Sequence, residues 1–154
     1  MRIFLIIFFT LITTTSFAVT FKGKFIQGSF ILGKTEPGSK VFIDKIRVKV
    51  SKDGYFVFGL GRDRKNDIVI SINEKKIVKK VFKRKYKIQR IDGLEEKKVT
   101  PPEEVYERIK RENKWIGEAR SINSDLNYFK NKFTVPLKDA IVTGVYGSQR
   151  ILNG

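Results

Sequence analysis

The chain has 154 residues, with 32 lysines and arginines against 16 acidic residues, and it contains neither cysteine nor histidine. The lack of histidine excludes histidine metal sites, histidine acid–base chemistry and Ser–His or Cys–His nucleophile pairs within these residues. Without disulfides the fold must rest on its apolar core, and the formal charge of +16 suits polyanionic partners. A lysine-rich proteome, in which surfaces default to lysine, is the alternative explanation of this charge.

Residues 1–18 have the composition of a cleavable signal peptide. The apolar run Ile3–Ile12 follows Arg2, and Ser16-Phe17-Ala18 supplies the small residues that a signal peptidase accepts. The run is shorter than the roughly 20 apolar residues of a permanent anchor, although an uncleaved anchor or a buried core helix is the alternative. Cleavage after Ala18 predicts a periplasmic or extracellular protein. Export argues against nucleic acid as the partner and favours anionic envelope polymers or a membrane surface.

Residues 19–90 have the sequence pattern of short β-strands separated by turns. Runs of β-branched and aromatic residues, such as Val41–Ile43 and Tyr55–Phe58, are separated by the turn signals Pro37-Gly38 and Asp53-Gly54. No helical period connects these runs. Strands at this spacing predict a small, basic, antiparallel β-sandwich domain.

A basic segment closes this predicted domain, where we expect a strand pair with one basic, solvated face. Its basic residues are Lys75, Lys76, Lys79, Lys80, Lys83, Arg84, Lys85 and Lys87. Interleaved apolar and aromatic residues distinguish the segment from a disordered tail. Such a face would dock the protein on an anionic surface. The alternative is that the lysines protect an edge strand from sheet-to-sheet aggregation.

A polar linker over residues 91–99 and a helix over residues 100–121 follow. Thr100 is the predicted N-cap, Pro101 the first helical position, and Glu103 completes a capping box. Apolar residues recur on one stripe of this helix. The paired carboxylates of its first turn match the positive end of the helix dipole, which explains them without catalysis.

Residues 122–154 change character again. Phe133, Val135 and Leu137 fall at alternate positions, and the glycines at 144 and 147 around Tyr146 predict a strand that another backbone or a ligand approaches closely. A two-stranded end is marginal in water. We therefore expect this stretch to pack on the first domain, or the natural protein to continue beyond it.

These residues resemble the lysostaphin-type (LytM-like) zinc metallopeptidases. Phe133-x-x-Pro136, followed by Gly-x-Tyr-Gly-Ser-Gln-Arg-x-x-Asn-Gly over residues 144–154, is similar to the beginning of their catalytic domain. Segments between Gln27-Gly28 and Gly61-Arg62-Asp63 resemble the β domain of a proteobacterial branch. Residues 89–94 with Val99-Thr100-Pro101 resemble its linker, so the resemblance extends over nearly the whole predicted mature chain.

The resemblance implies a peptidoglycan endopeptidase that cuts the peptide cross-bridges of the cell wall. The family holds zinc with an H-x-x-x-D pair and a later H-x-H pair, and the zinc-bound water, with its pKa lowered to about 7, attacks the peptide bond. This sequence reaches Gly154 before any such histidine, so no zinc ligand or catalytic residue is assigned to it. The predicted fold is mainly β: the sandwich, one linker helix, and in residues 122–154 the first strands of an incomplete peptidase domain.

Tyr146, Arg150 and Asn153 are the candidates for the border of the substrate groove, with framework packing as the alternative role. The leading hypothesis is the N-terminal, non-catalytic part of a secreted zinc endopeptidase, inactive by itself and needing zinc only in a longer protein. The alternative is a self-contained periplasmic binding or adaptor module, whose basic face binds anionic envelope polymers.

Overall fold

A computed structural model describes residues 18–154, so all of the predicted signal peptide except Ala18 lies outside the described residues. The strands of the described part are β1 (Thr20–Lys22), β2 (Phe30–Lys34), β3 (Val41–Ile43), β4 (Ile46–Val48), β5 (Tyr55–Gly59), β6 (Ile68–Ile72), β7 (Lys75–Lys79), β8 (Ile88–Ile91) and β9 (Gln149–Leu152). The α-helices are α1 (Glu96–Val99) and α2 (Glu103–Ser121), and a 3-10 turn spans Tyr128–Lys130.

The first seven strands form two antiparallel sheets that pack face to face. The strand order is β1-β2-β5 in one sheet and β4-β3-β6-β7 in the other. Both sheets contribute to one core, which consists of Ile31, Val41, Phe56, Phe58, Leu60, Ile68, Ile70 and Ile72. The mainly β fold predicted from the sequence is confirmed.

Strand β6 shows how the sequence directs this packing. Ile68, Ile70 and Ile72 are buried in the core, whereas Val69 and Ser71 between them face outward, because successive side chains of a strand alternate between its two faces. The hairpin that pairs β3 with β4 had no recognised turn signal. Its two turn residues, Asp44 and Lys45, both have positive φ (48° and 74°), the backbone geometry that matches the twist of the flanking strands.

Helix α2 begins two residues later than predicted, at Glu103 instead of Pro101, and the predicted capping box is absent. Thr100 is extended and ends α1, and its hydroxyl donates to the Glu96 carboxylate instead of capping α2. A proline disfavours helical backbone at the residue before it. Thr100 and Pro101 each precede a proline, so the helix starts only after Pro102.

None of the 19 residues of α2 is buried, so its apolar stripe does not enter the sandwich core. Among the described residues, no helix combines the length and the apolar composition that crossing a bilayer requires. The predicted linker, residues 91–99, is also more ordered than expected. It contains α1, and β8 runs across the predicted boundary after residue 90.

After α2, the described chain forms only one strand, and the strands predicted near Phe133 and Gly144 are absent. Strand β9 pairs in parallel with β8, from Ile88 opposite Gln149 to Ile91 opposite Leu152. A strand needs a partner for its backbone hydrogen bonds. Alternation of apolar side chains was therefore not enough to make residues 133–145 a strand.

Candidate functional site

The end of the described chain returns to the sandwich and contacts it through side chains from three separate segments. We call this contact the Arg62 interface. Its residues are Gly28, Arg62 and Tyr86 on one side, and Tyr146, Gly147 and Gln149 on the other. Arg62 lies in the loop after β5, and Tyr86 in the extended segment before β8. Gly28, Arg62 and residues 146–149 lie in segments for which the peptidase resemblance was described, whereas Tyr86 does not.

Arg62 makes the polar contacts of this interface. Its Nε donates to the carbonyl oxygen of Gly147 at 2.7 Å and its Nη2 to Oε1 of Gln149 at 3.3 Å. The guanidinium also stacks on the ring of Tyr86, 4.8 Å from the ring centroid. Arginine suits this position because its flat, permanently charged group donates several hydrogen bonds in its plane and packs an aromatic ring against its face.

Gly147 occupies a position that no other residue accommodates. Its φ is +85°, and the amide of Ser148 donates to the carbonyl of Val145 at 3.0 Å to close a turn. A Cβ at Gly147 would overlap the ring of Tyr86. The close approach predicted from the two glycines is therefore found at Gly147, but not at Gly144, where a Cβ would meet open space.

The side chain of Tyr86 packs against Gly28 and Arg62 of its own side and against Gly147 of the other side. Its hydroxyl is buried without a hydrogen-bond partner among the described residues and lies over Gly28, which has a φ of +74°. The ring of Tyr146 covers the same glycine. The buried side chain of Gln27 ties the segment before Tyr86 to the loop after β5. Its Nε2 donates to the Arg64 carbonyl at 2.7 Å, and its Oε1 accepts from the Arg84 amide at 3.0 Å.

The segment between α2 and the Arg62 interface touches the sandwich at a second place. Nζ of Lys49 lies 2.8 Å from each of three oxygens: Oδ1 of Asn123, the carbonyl of Ser124, and Oδ1 of Asp125. The hydrogen bond from Lys49 lowers the pKa of the Asp125 carboxyl below its ordinary value. Farther along the chain, Lys130 pairs with Asp53. These exposed polar contacts are individually weak.

The three predicted groove residues do not line one groove. Tyr146 borders a shallow groove of about 460 Å³ with Phe30 and Leu60, whereas Arg150 borders a different one of about 660 Å³ with Lys87 and Gln89. Tyr146 and Arg150 are both exposed.

Asn153 has a framework role. Its Nδ2 donates to the Leu94 carbonyl at 2.8 Å and its Oδ1 accepts from the Leu94 amide at 3.0 Å. Its own amide donates to the carbonyl of Ile91 at 2.9 Å. These bonds fasten the end of β9 to the segment after β8, so the alternative role considered for this residue is the one its contacts support.

The basic segment is a single edge strand followed by extended chain, not the strand pair that was predicted. Residues 75–79 form β7 at one edge of the four-stranded sheet, while residues 83–87 belong to no strand. Successive lysines of β7 point to opposite faces of the sheet, so the charge is not confined to one face. The basic side chains of residues 75–87 are exposed except that of Arg84. The Arg84 side chain is half-buried, with its guanidinium 5.4 Å from the centroid of the Tyr86 ring.

The residues present do not fit a zinc site. Within residues 18–154 no three or more His, Cys, Asp or Glu side chains are grouped as metal ligands would be. The half-buried carboxylate of Asp44 instead accepts from Nη1 and Nη2 of Arg64 at 2.5 and 3.1 Å. The Arg64 hydrogen bond is the main cause that holds the pKa of the Asp44 carboxyl below its ordinary value. No reaction step through a metal is assigned to this chain.

The sequence interpretation missed the role of Arg62 and Tyr86. Arg62 was singled out only within the motif Gly61-Arg62-Asp63, and Tyr86 only as an aromatic residue among lysines. The glycine at 147 was the available signal, because a glycine after an aromatic residue indicated close packing. Nothing in the sequence indicated which side chain would fill that space.

Comparison of the chain with protein-family models and with curated proteins gave no match. The resemblance to the LytM-like peptidases therefore stays a prediction that depends on the residues quoted for it.

Proposed function

We propose that this chain is the non-catalytic part of an exported zinc peptidoglycan endopeptidase, and that its sandwich positions the peptidase domain. The observation that carries the proposal is the Arg62 interface. Residues 144–154, which resemble the beginning of the peptidase domain, contact the sandwich through Arg62 and the half-buried ring of Tyr86, and β9 pairs with β8, the strand that follows the sandwich.

The arrangement supports positioning for a physical reason. Flexible linkers let domains move independently, whereas β9 shares its backbone hydrogen bonds with β8 and Arg62 binds the turn that precedes β9. A peptidase domain that continues from β9 would inherit this orientation. In the proposal, residues outside this chain hold the zinc, and peptidoglycan in the periplasm or outside the cell is the substrate.

The experiment begins with the gene. We expect the codons after Gly154 to continue into an H-x-x-x-D sequence and a later H-x-H sequence. The natural gene product, incubated with purified sacculi, should release peptide cross-link fragments, lose this activity on zinc chelation and regain it when zinc is added. Residues 19–154 alone should release none.

An open reading frame without these histidines, or a gene product that cuts sacculi equally well after zinc chelation, would refute the peptidase proposal. A protein that ends at Gly154, folds, and binds sacculi in a salt-dependent manner would instead be a self-contained binding module. The exposed lysines of β7 are the observation that favours that second candidate.

A further inference from the structure

The outer face of the four-stranded sheet mixes cationic and apolar side chains. On β6 and β7, Val69 pairs with Val78, and Ser71 with Lys76, on the side away from the core. On the other half of the sheet, Arg47 faces the same side, because the inward positions of β4 pair with those of β3. This outer face therefore has apolar side chains on β6 and β7, with cations on β7 and on β4.

The alternation continues past the end of β7. Lys80 and Phe82 follow Lys76 and Val78 at the same spacing, and the ammonium of Lys80 lies 5.7 Å from the centroid of the Phe82 ring. Val78 is 63% exposed and Phe82 56% exposed. We call this surface the Val78–Phe82 face, and its members are Arg47, Val69, Lys76, Val78, Lys80 and Phe82.

The cations of this face are available to bind anions. Arg47, Lys76 and Lys80 are exposed and form no ion pair with any residue between 18 and 154. Two carboxylates near this face are already engaged: Asp44 pairs with Arg64, and Asp67 accepts from the backbone amide of Val81 at 3.1 Å. Because these three cations form no ion pair within the described residues, they make the electrostatic potential of this face positive.

We propose that the Val78–Phe82 face docks the protein on the surface of an anionic lipid bilayer. Lysine and arginine are attracted to anionic headgroups, and their long apolar stems bridge the headgroup region. Exposed aromatic and aliphatic side chains on the same face enter the boundary between headgroups and acyl chains. A hydrated wall polymer would use the cations alone and leave Val78 and Phe82 in water. The inference does not depend on the peptidase proposal.

The test measures co-sedimentation of the purified protein with vesicles. We expect binding to vesicles of phosphatidylglycerol and phosphatidylcholine, and little binding to phosphatidylcholine alone. The double variant Lys76→Gln/Lys80→Gln should bind roughly tenfold more weakly, and Val78→Ser/Phe82→Ser should weaken binding by a similar factor. The matched controls are Lys110→Gln/Lys114→Gln and Ile122→Ser, which change exposed residues elsewhere and should bind as the wild type does.

A second variant keeps the test decisive if the serine variant folds poorly. Phe82→Trp in a Trp115→Phe background should show a blue shift of its fluorescence on anionic vesicles and quenching by lipids brominated on the acyl chain. Unchanged tryptophan emission would overturn the inference. So would a serine variant of wild-type structure that binds vesicles normally while the glutamine variant does not, because the face would then recognise charge alone, as a polymer-binding surface does.

Discussion

The sandwich and the chain that follows it use their apolar residues in opposite ways. In the sandwich, Phe56 and Ile68 are fully buried. After residue 100, Trp115 is 57% exposed, Phe133 77% and Ile141 89%. Apolar composition alone therefore does not distinguish the two regions. What distinguishes them is whether strand pairing brings the apolar side chains together.

The difference teaches where the stability of the described chain resides. Burial of apolar area is the main favourable contribution to folding, and this chain concentrates it in the two sheets. The later region is held instead at a few contacts: the Arg62 interface, the pairing of β8 with β9, and the ion pairs of Lys49 and Lys130. We expect it to open locally without unfolding the sandwich.

The largest expected effect comes from the core. Phe56→Ala should destabilise the sandwich by about 3–5 kcal/mol, because it removes a fully buried ring and leaves a cavity. Trp115→Ala, a matched loss of an aromatic side chain on exposed α2, should change the free energy of unfolding by less than about 0.5 kcal/mol. Urea unfolding followed by far-ultraviolet circular dichroism measures both. Similar losses for the two variants would contradict the comparison.

The next effect tests the Arg62 interface. Gly147→Ala should destabilise the docking of β9 by about 1–3 kcal/mol, since the new methyl group meets Tyr86 and the φ of +85° is unfavourable for alanine. Amide hydrogen exchange should accelerate in β8 and β9 and stay unchanged in the sandwich core. Gly144→Ala, where there is open space, is the control and should exchange as the wild type does.

The third effect is pH-dependent and belongs to the sandwich. Asp44→Asn should destabilise the sandwich near neutral pH, because it removes the ion pair with Arg64. The loss should be only about 1 kcal/mol, because solvent screens the exposed part of this pair. Since Arg64 lowers the folded-state pKa of Asp44, this stabilisation is present above the ordinary carboxyl pKa of about 4 and is lost as the pH falls through the lowered value.

Urea unfolding of the wild type and of Asp44→Asn at several pH values measures this difference, with exposed Glu74→Gln as the control. The stability difference between the wild type and Asp44→Asn should shrink as the pH falls below about 4. A difference that stays constant over that range would show that the charge of Asp44 is irrelevant.

The smallest effect tests the independence of α2. Gly117→Ala should raise the stability of this exposed helix by up to about 1 kcal/mol, because alanine favours helix and its methyl group meets open space. The fluorescence of Trp115, the one tryptophan in the sequence, reports on the helix. We expect its thermal transition to move upward while the transition of the sandwich stays in place. A joint shift would mean that the two regions unfold together.

Much of the sandwich could be predicted from the sequence, because its strands are short-range patterns. Runs of β-branched and aromatic residues identified β3 and β5, and the glycine and proline turns marked where they begin. The prediction failed where a distant partner decides the outcome. Phe133, Val135 and Leu137 alternate as a strand would, yet they pair with no strand of the described chain. The capping box failed for a local reason, two consecutive prolines, that the sequence did contain.

By itself, the sequence determined the positive charge, the absence of histidine and cysteine ligands and the mainly β character of the sandwich, since these follow from residue types and local patterns. Only the tertiary structure decided that β9 pairs with β8, that Arg62 and Tyr86 receive the turn at Gly147, and that Lys80 and Phe82 share a face with Val69. The residues of β8 and β9, and Arg62 and Gly147, are far apart along the chain, so no local sequence pattern links them. Their pairing depends on how the sheets bring distant segments together.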